Sequence, residues 1–292
     1  MKPSRLARLS LAIMTTAALA ACNGGGSKSG QISMAVTDAP VDDAKSVVVE
    51  FTGVELMGPG GRTTFEFDEA KTIDLMDLQG SLSEPLIEDE TVPAGEYQWA
   101  RLMVNAQPAT IDSYIVLKDE SQHSLYIPSG DETGLKMNTG FTVGAGSTAN
   151  FTVDFDLRKS VTLPMNGNMD YVLRPTLRLV DNLEVGTIAG TVDAGRVTES
   201  CAPAVYLFAG ADVTPDDEDA NEPNPLTSAM PALNTESGGY DYEIGFVPAG
   251  EHTITFTCEA DADQADSDDS ITFSDTQNVT VVAEETTTVD FN

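Results

Sequence analysis

The sequence predicts an all-β chain built as two antiparallel β-sandwich domains. Three observations predict it. Apolar residues recur at every second position in one run after another. No helical apolar stripe of comparable length exists. Turn clusters such as Gly58-Pro-Gly-Gly61 and Gly144-Ala-Gly-Ser147 divide the runs at the spacing typical of sandwiches or barrels. At 292 residues the chain can fill two cores without outside help.

Residues 1–21 are expected to be a signal peptide. They begin with the basic residues Lys2, Arg5 and Arg8, continue through an apolar run from Leu9 to Ala21, and end in small residues. The run is shorter than the ~20 residues a spanning helix needs, and small residues before the cut suit a signal peptidase. Leu19-Ala20-Ala21-Cys22 resembles the lipobox of bacterial lipoproteins, which implies a diacylglyceryl group on the thiol of Cys22. Acyl chains contribute about 0.8 kcal/mol per buried CH₂, so two or three of them form an essentially permanent membrane anchor. In enteric sorting Asp after the lipidated residue retains a lipoprotein in the inner membrane, so by that resemblance Asn23 implies the outer membrane. Residues 22–30, rich in Gly and Ser, are expected to be a tether with a span of roughly 16 Å.

The first domain is expected over residues 31–182. Its strongest period-2 run is 151–157, with Phe151, Val153, Phe155 and Leu157 on one face and Thr152, Asp154 and Asp156 on the other. Weaker alternation marks 32–36, 46–57, 97–104, 114–117 and 171–180. Within the last run Arg174 and Arg178 share a face and are placed to pair with acids such as Asp154 across the sheet. The best helix candidate is a single short one within 75–86, interrupted by Gly80 and Pro85.

The second domain is expected over residues 183–292, with strands near 186–192, 204–208, 240–246, 253–256, 270–282 and 286–291. The acid-rich stretches 215–222 and 259–269 between them are too polar to bury and read as mobile loops. With Cys22 assigned to lipid, Cys201 and Cys258 are the cysteines left in an oxidising compartment, and they are expected to pair. Alternation puts His252, Ile254, Phe256 and Cys258 on one inward face. Val92-Pro-Ala-Gly-Glu-Tyr97 returns as Val247-Pro-Ala-Gly-Glu-His252, which reads as one hairpin corner used twice.

Charge excludes whole classes of partner. The chain carries 47 Asp plus Glu against 15 Lys plus Arg, a formal charge of −32. Nucleic acid and anionic lipid surfaces would repel it. The acidity is uneven, because residues 183–292 hold 23 acids and a single base, Arg196.

Two families resemble parts of this pattern. Ile32-Ser-Met-Ala-Val-Thr-Asp-Ala-Pro40, Ala44-Lys-Ser-Val-Val-Val49 and Val92-Pro-Ala-Gly-Glu-Tyr97 resemble a bacterial lipoprotein family known as domain of unknown function 4382, over about residues 30–182. That resemblance implies no activity. Gly186-Thr-Ile-Ala-Gly-Thr-Val192 and the later Val-Pro-Ala-Gly-Glu-His resemble transthyretin-like or carboxypeptidase-regulatory-like sandwiches, which implies an immunoglobulin-like or transthyretin-like, non-catalytic module. His252 stands where that pattern usually has Tyr and reads as a core-edge substitute.

Candidate chemistry is sparse. Clustered carboxylates suit Ca²⁺, which takes six to eight oxygen ligands, and Asp261, Asp263, Asp266 and Asp268 are the candidate ligands. The EF-hand pattern fails there, since Asp266 and Thr272 stand where its turn Gly and closing Glu belong. Asp216, Asp217, Glu218 and Asp219 carry less weight as ligands. Asp38, Asp42 and Asp43 read as parts of a capped turn. Neither His123 nor His252 lies in a nucleophile motif, so no catalytic residue is assigned. Trp99 and Tyr97 read as packing residues. The expectation is a lipid-anchored, outer-membrane binding, adhesion or scaffolding module with an unidentified envelope or extracellular ligand and no resident cofactor. The alternatives are an exported hydrolase and a Ca²⁺-stabilised surface adhesin.

Overall fold

A computed structural model describes residues 28–39, 44–127, 134–157, 161–162, 171–173, 177–219, 221–264 and 267–292. The chain is all-β over these residues, and the strands form two groups of sheets, each around its own apolar core.

In the first group a four-stranded sheet runs Leu177–Asp181, Thr148–Asp156, Ser29–Ala39, Glu84–Pro93. It faces a larger sheet centred on Ala44–Gly58, which pairs with Gly61–Asp74 on one side and with Trp99–Asn105 and Tyr114–Leu117 on the other. The predicted apolar face of 151–157 is the core face, with Phe151 at 5 % and Val153, Phe155 and Leu157 at 0 % exposure. Phe155 meets Phe51 of the opposite sheet edge-on at 6.2 Å between ring centres. Contacts of this type lock two sheets together.

In the second group the order Ala232–Leu233, Tyr240–Pro248, Val185–Val192, Thr286–Thr288 faces Thr227–Ala229, Ala204–Ala209, Gly250–Thr257, Phe273–Val281. Ile188, Val205, Leu207, Ile254 and Phe291 fill the space between them. Cys201 and Cys258 form a disulfide across neighbouring strand ends, with a Cα separation of 4.5 Å.

Three features depart from the pattern-based expectation. Most pairings are antiparallel, but Ser29–Ala39 runs parallel to Thr148–Asp156, Val185–Val192 parallel to Thr286–Thr288, and Tyr171–Leu173 parallel to Gln122–Tyr126. A period of two records which face a residue takes and is blind to strand direction. The helix expected within 75–86 is a single 3-10 turn, Leu75–Asp77, capped by the Asp74 carboxylate accepting from Met76 N, and the chain returns to strand at Glu84. Finally, Thr253, Thr255 and Thr257 are as buried as the apolar residues between them. This strand is covered on both faces.

The repeated hexapeptide is one structural corner built twice. Gly95 and Gly250 take φ of 141° and 143°, a conformation that L side chains rarely adopt. Ala94 N donates to Lys28 O at 3.0 Å and Ala249 N to Glu184 O at 2.9 Å. The opposite flank matches as well: Gly146 N reaches Ser29 O and Gln31 N reaches Ser147 O, while Glu284 N reaches Val185 O and Thr187 N reaches Glu285 O. Each group therefore ties its first strand between a corner and a parallel neighbour in the same way.

Candidate functional site

The arrangement of outward side chains creates a cleft where the two groups of sheets meet. On Tyr240–Pro248, Tyr242 and Ile244 point into the core, so Asp241 and Glu243 project from the other face. Ala189 and Thr191 do the same on Val185–Val192, where Ile188 and Val192 are the buried partners. Across from this face lie Thr37, Asp38 and the loop after the 3-10 turn, including Gly80 and Leu82. Thr37 Oγ1 holds that loop through the carbonyls of Leu78 at 2.9 Å and Leu82 at 2.7 Å. Ser81 N donates to Glu243 Oε1 at 2.8 Å, and Gly245 packs so closely on the Gly80 carbonyl that a Cβ would collide with it.

The cavity so formed measures about 700 Å³, within the range of about 300–1,000 Å³ usual for ligand pockets. Its lining includes five carboxylates, Asp38, Asp154, Asp241, Glu243 and Asp290, and no Lys, Arg, His or Cys among the described residues. Asp154 lies directly opposite Arg178 in the sheet and accepts from its Nε at 3.1 Å. Burial pushes the Asp154 carboxyl above the usual carboxylate range, an effect the neighbouring guanidinium offsets in part. Burial and the nearby Asp290 raise the Tyr242 hydroxyl well above its ordinary value, and that hydroxyl donates to Val289 O at 2.7 Å. Leu82 and Met230 in the lining are 60 % and 39 % exposed, and Leu233, next to the lining residue Ala232, is 56 % exposed.

A second gathering of polar groups lies on the outer face of the Ala204–Ala209 sheet. Tyr206 and Phe208 point outward there and are nevertheless fully buried, packed with Ala260 and Phe273. The acid-rich stretches cover them. Asp217, Glu218 and Asp263 are 2 %, 4 % and 7 % exposed, which corrects the expectation that these stretches are too polar to bury. The physical reason is a set of donors aimed at the carboxylates. Tyr206 Oη donates to Asp263, Glu218 N to Asp263 Oδ1 at 3.0 Å, and Asp269 N to Asp217 Oδ2 at 2.5 Å. Carboxylate oxygens of Asp217, Asp263 and Asp269 lie within 4.8 Å of one another, as do those of Asp217, Asp219 and Asp268. Burial is the main cause raising the Asp217 carboxyl.

Of the four aspartates expected as ligands, Asp263 and Asp268 belong to these groups, Asp261 is exposed on the 3-10 turn Ala260–Ala262, and Asp266 lies outside the described residues. Asp217, Asp219 and Asp269 were missed or discounted. Their signal was the outward Tyr206 and Phe208 in the continuous apolar run 204–208, which demanded a cover that only the acidic stretches could supply. Cys22, Asp42, Asp43 and Arg174 lie outside the described residues.

Trp99 is 9 % exposed, with Arg101 and Lys136 over its ring at 5.2 and 4.7 Å. Tyr97 is 2 % exposed. Both pack, as the alternation implied. His123 Nε2 meets Ser121 Oγ at 3.0 Å, but that hydroxyl gives its proton to Asp119 Oδ1 at 2.5 Å. The carboxylate thus holds the serine instead of orienting the imidazole, which is the reverse of a catalytic triad.

The model of the family described as domain of unknown function (DUF4382) matches residues 29–175. The chain belongs to that family. No curated protein matches it. Among solved structures it is similar to the Bacillus anthracis TIE protein at 10 % identity and TM-score 0.20, covering 90 % of this chain and 33 % of the other. It is similar to GBS52, the minor pilin of Streptococcus agalactiae, at 8 % identity and TM-score 0.20, covering 89 % and 94 %. A fimbrial protein from Bacteroides ovatus gives 9 % identity, TM-score 0.22 and coverage of 91 % and 49 %. The chain spans about a third of the length of the first of these and about half of the third.

Proposed function

We propose that this protein is a non-catalytic binding module of the cell envelope, held to the outer membrane by lipid on Cys22, with two domains at residues 31–182 and 183–292 and the cleft between them as its binding site. The cleft itself carries the reading. It combines exposed Leu82 and Met230 with outward carboxylates, and apolar surface beside fixed polar groups is how binding sites are built. Its described lining offers acids without a nucleophile–base pair, which favours binding over hydrolysis. Two measurements test the reading. Mass spectrometry of the mature protein should find an acylated amino terminus at Cys22, and an unmodified terminus elsewhere overturns the anchor. Capture of an envelope component by the full chain should be lost when Leu82→Trp and Met230→Trp fill the cleft, and undiminished capture overturns the site.

A second reading, Ca²⁺ stabilisation of residues 183–292, is favoured by one observation. Asp217, Glu218 and Asp263 are buried in a region whose sole base, Arg196, is engaged by Asp275 and the Asn292 carbonyl. Buried carboxylates are stabilised by a cation or a proton.

A further inference from the structure

Resting on the reading of the cleft as a binding site, we propose that its occupant is an extended polypeptide segment carrying lysine or arginine at alternate positions together with apolar side chains. Charge complementarity sets the first requirement. Asp241, Glu243 and Asp290 face the cleft, no cation is found among its described lining residues, and a chain of net charge −32 steers cationic partners toward itself. Spacing sets the second. Asp241 and Glu243 lie two residues apart on one strand face, so they repeat at about 6.6 Å, the interval between alternate side chains of another extended chain. Exposed hydrophobic residues set the third. Of the six large apolar residues left exposed in the described structure, Leu82 and Met230 line the cleft and Leu233 flanks it. Such clustering marks interaction surfaces, whereas isolated exposed apolar residues need no explanation. A polyamine would satisfy the carboxylates and leave these side chains wet. A neutral apolar peptide would do the opposite.

The test uses the full chain and a fluorescent octapeptide of alternating lysine and valine, followed by anisotropy at low and high salt. Two control peptides replace every lysine by glutamine or every valine by serine. Binding of the lysine–valine peptide should exceed both controls and fall steeply with salt. D241N with D290N should weaken it about tenfold at low salt, L82S with M230S should weaken it at both salts, and D68N with E69Q, an equal loss of charge at two residues outside the cleft lining, should change it less than twofold. Melting curves establish that each variant is folded. Equal weakening by D68N/E69Q, or binding of the glutamine peptide as tight as that of the lysine peptide, overturns the proposal. Failure of every peptide, alongside an envelope partner that the tryptophan-filled cleft still excludes, overturns the partner's chemistry and leaves the cleft reading standing. Retention of that partner by the filled cleft overturns the site.

Discussion

The Tyr97 hydroxyl donates to the carbonyl of Pro93 at 2.8 Å, and His252 Nε2 meets the carbonyl of Pro248 at 2.7 Å, so the two side chains fasten the same corner in the two groups of sheets. A carbonyl only accepts, so His252 must carry its proton on Nε2. Its Nδ1 is then a buried acceptor with no hydrogen-bond partner among the described residues. Tyr does the fastening without that orphan atom. His252→Tyr should therefore be neutral or stabilising by up to about 1 kcal/mol, while Tyr97→Phe and His252→Phe should each cost about 1 kcal/mol. Denaturant midpoints measure all three, and a His252→Tyr variant clearly less stable than its parent contradicts the equivalence of the corners.

The sole tryptophan, Trp99, lies in the first group of sheets, whereas the Cys201–Cys258 bond closes a loop in the second. Removing such a bond typically costs about 2–5 kcal/mol. C201S/C258S should lower the midpoint of a far-ultraviolet transition and leave tryptophan emission on its original curve. A matching shift in emission would mean that the two groups unfold as one unit.

Asp154 supplies a pH test. Its folded-state carboxyl lies above the ordinary value because of burial. The folded protein therefore binds this proton more tightly than the unfolded chain does, and stability attributable to the site rises as pH falls from neutral through the folded-state value. Asp154→Asn should remove that increment, seen as a flatter dependence of stability on pH between about 7 and 4. Arg178→Leu leaves a partly buried carboxylate without its cation and should cost about 3 kcal/mol at neutral pH. An unchanged pH slope in Asp154→Asn rules out this carboxyl as its source.

Calcium offers the fourth test. Excess Ca²⁺ should raise the melting temperature at pH 7, because a ligand that binds only the folded state stabilises it by mass action. Burial holds the Asp217 carboxyl above its usual range, so falling pH protonates it and the Ca²⁺ effect should shrink. Asp263→Asn should abolish the effect. Identical melting in Ca²⁺ and in chelator retires the metal reading.

Much of the fold was legible because alternation records burial directly, as Phe151, Val153, Phe155 and Leu157 illustrate. The repeated hexapeptide also announced its corner, since Pro and Gly fix backbone geometry locally. What stayed hidden depends on long-range pairing. Strand direction at Ser29–Ala39 is decided by residues more than 100 positions away. The burial of Asp217 and Asp263 depends on donors from Tyr206 and from distant main chain, which no local window contains. The cleft is composite in the same sense: Leu82 and Asp241 are ordinary surface residues until the two groups of sheets bring them together.

The parallel pairing at the start of the fold also has a mechanical meaning. A pull applied ahead of Ser29 enters along a strand clamped by Thr148–Asp156 on one flank and Glu84–Pro93 on the other. Hydrogen bonds on both flanks then share the load in shear and must yield together, where a strand peeled from its end would give them up singly. If the anchor proposed at Cys22 holds one extremity, the protein would resist tearing at its first strand.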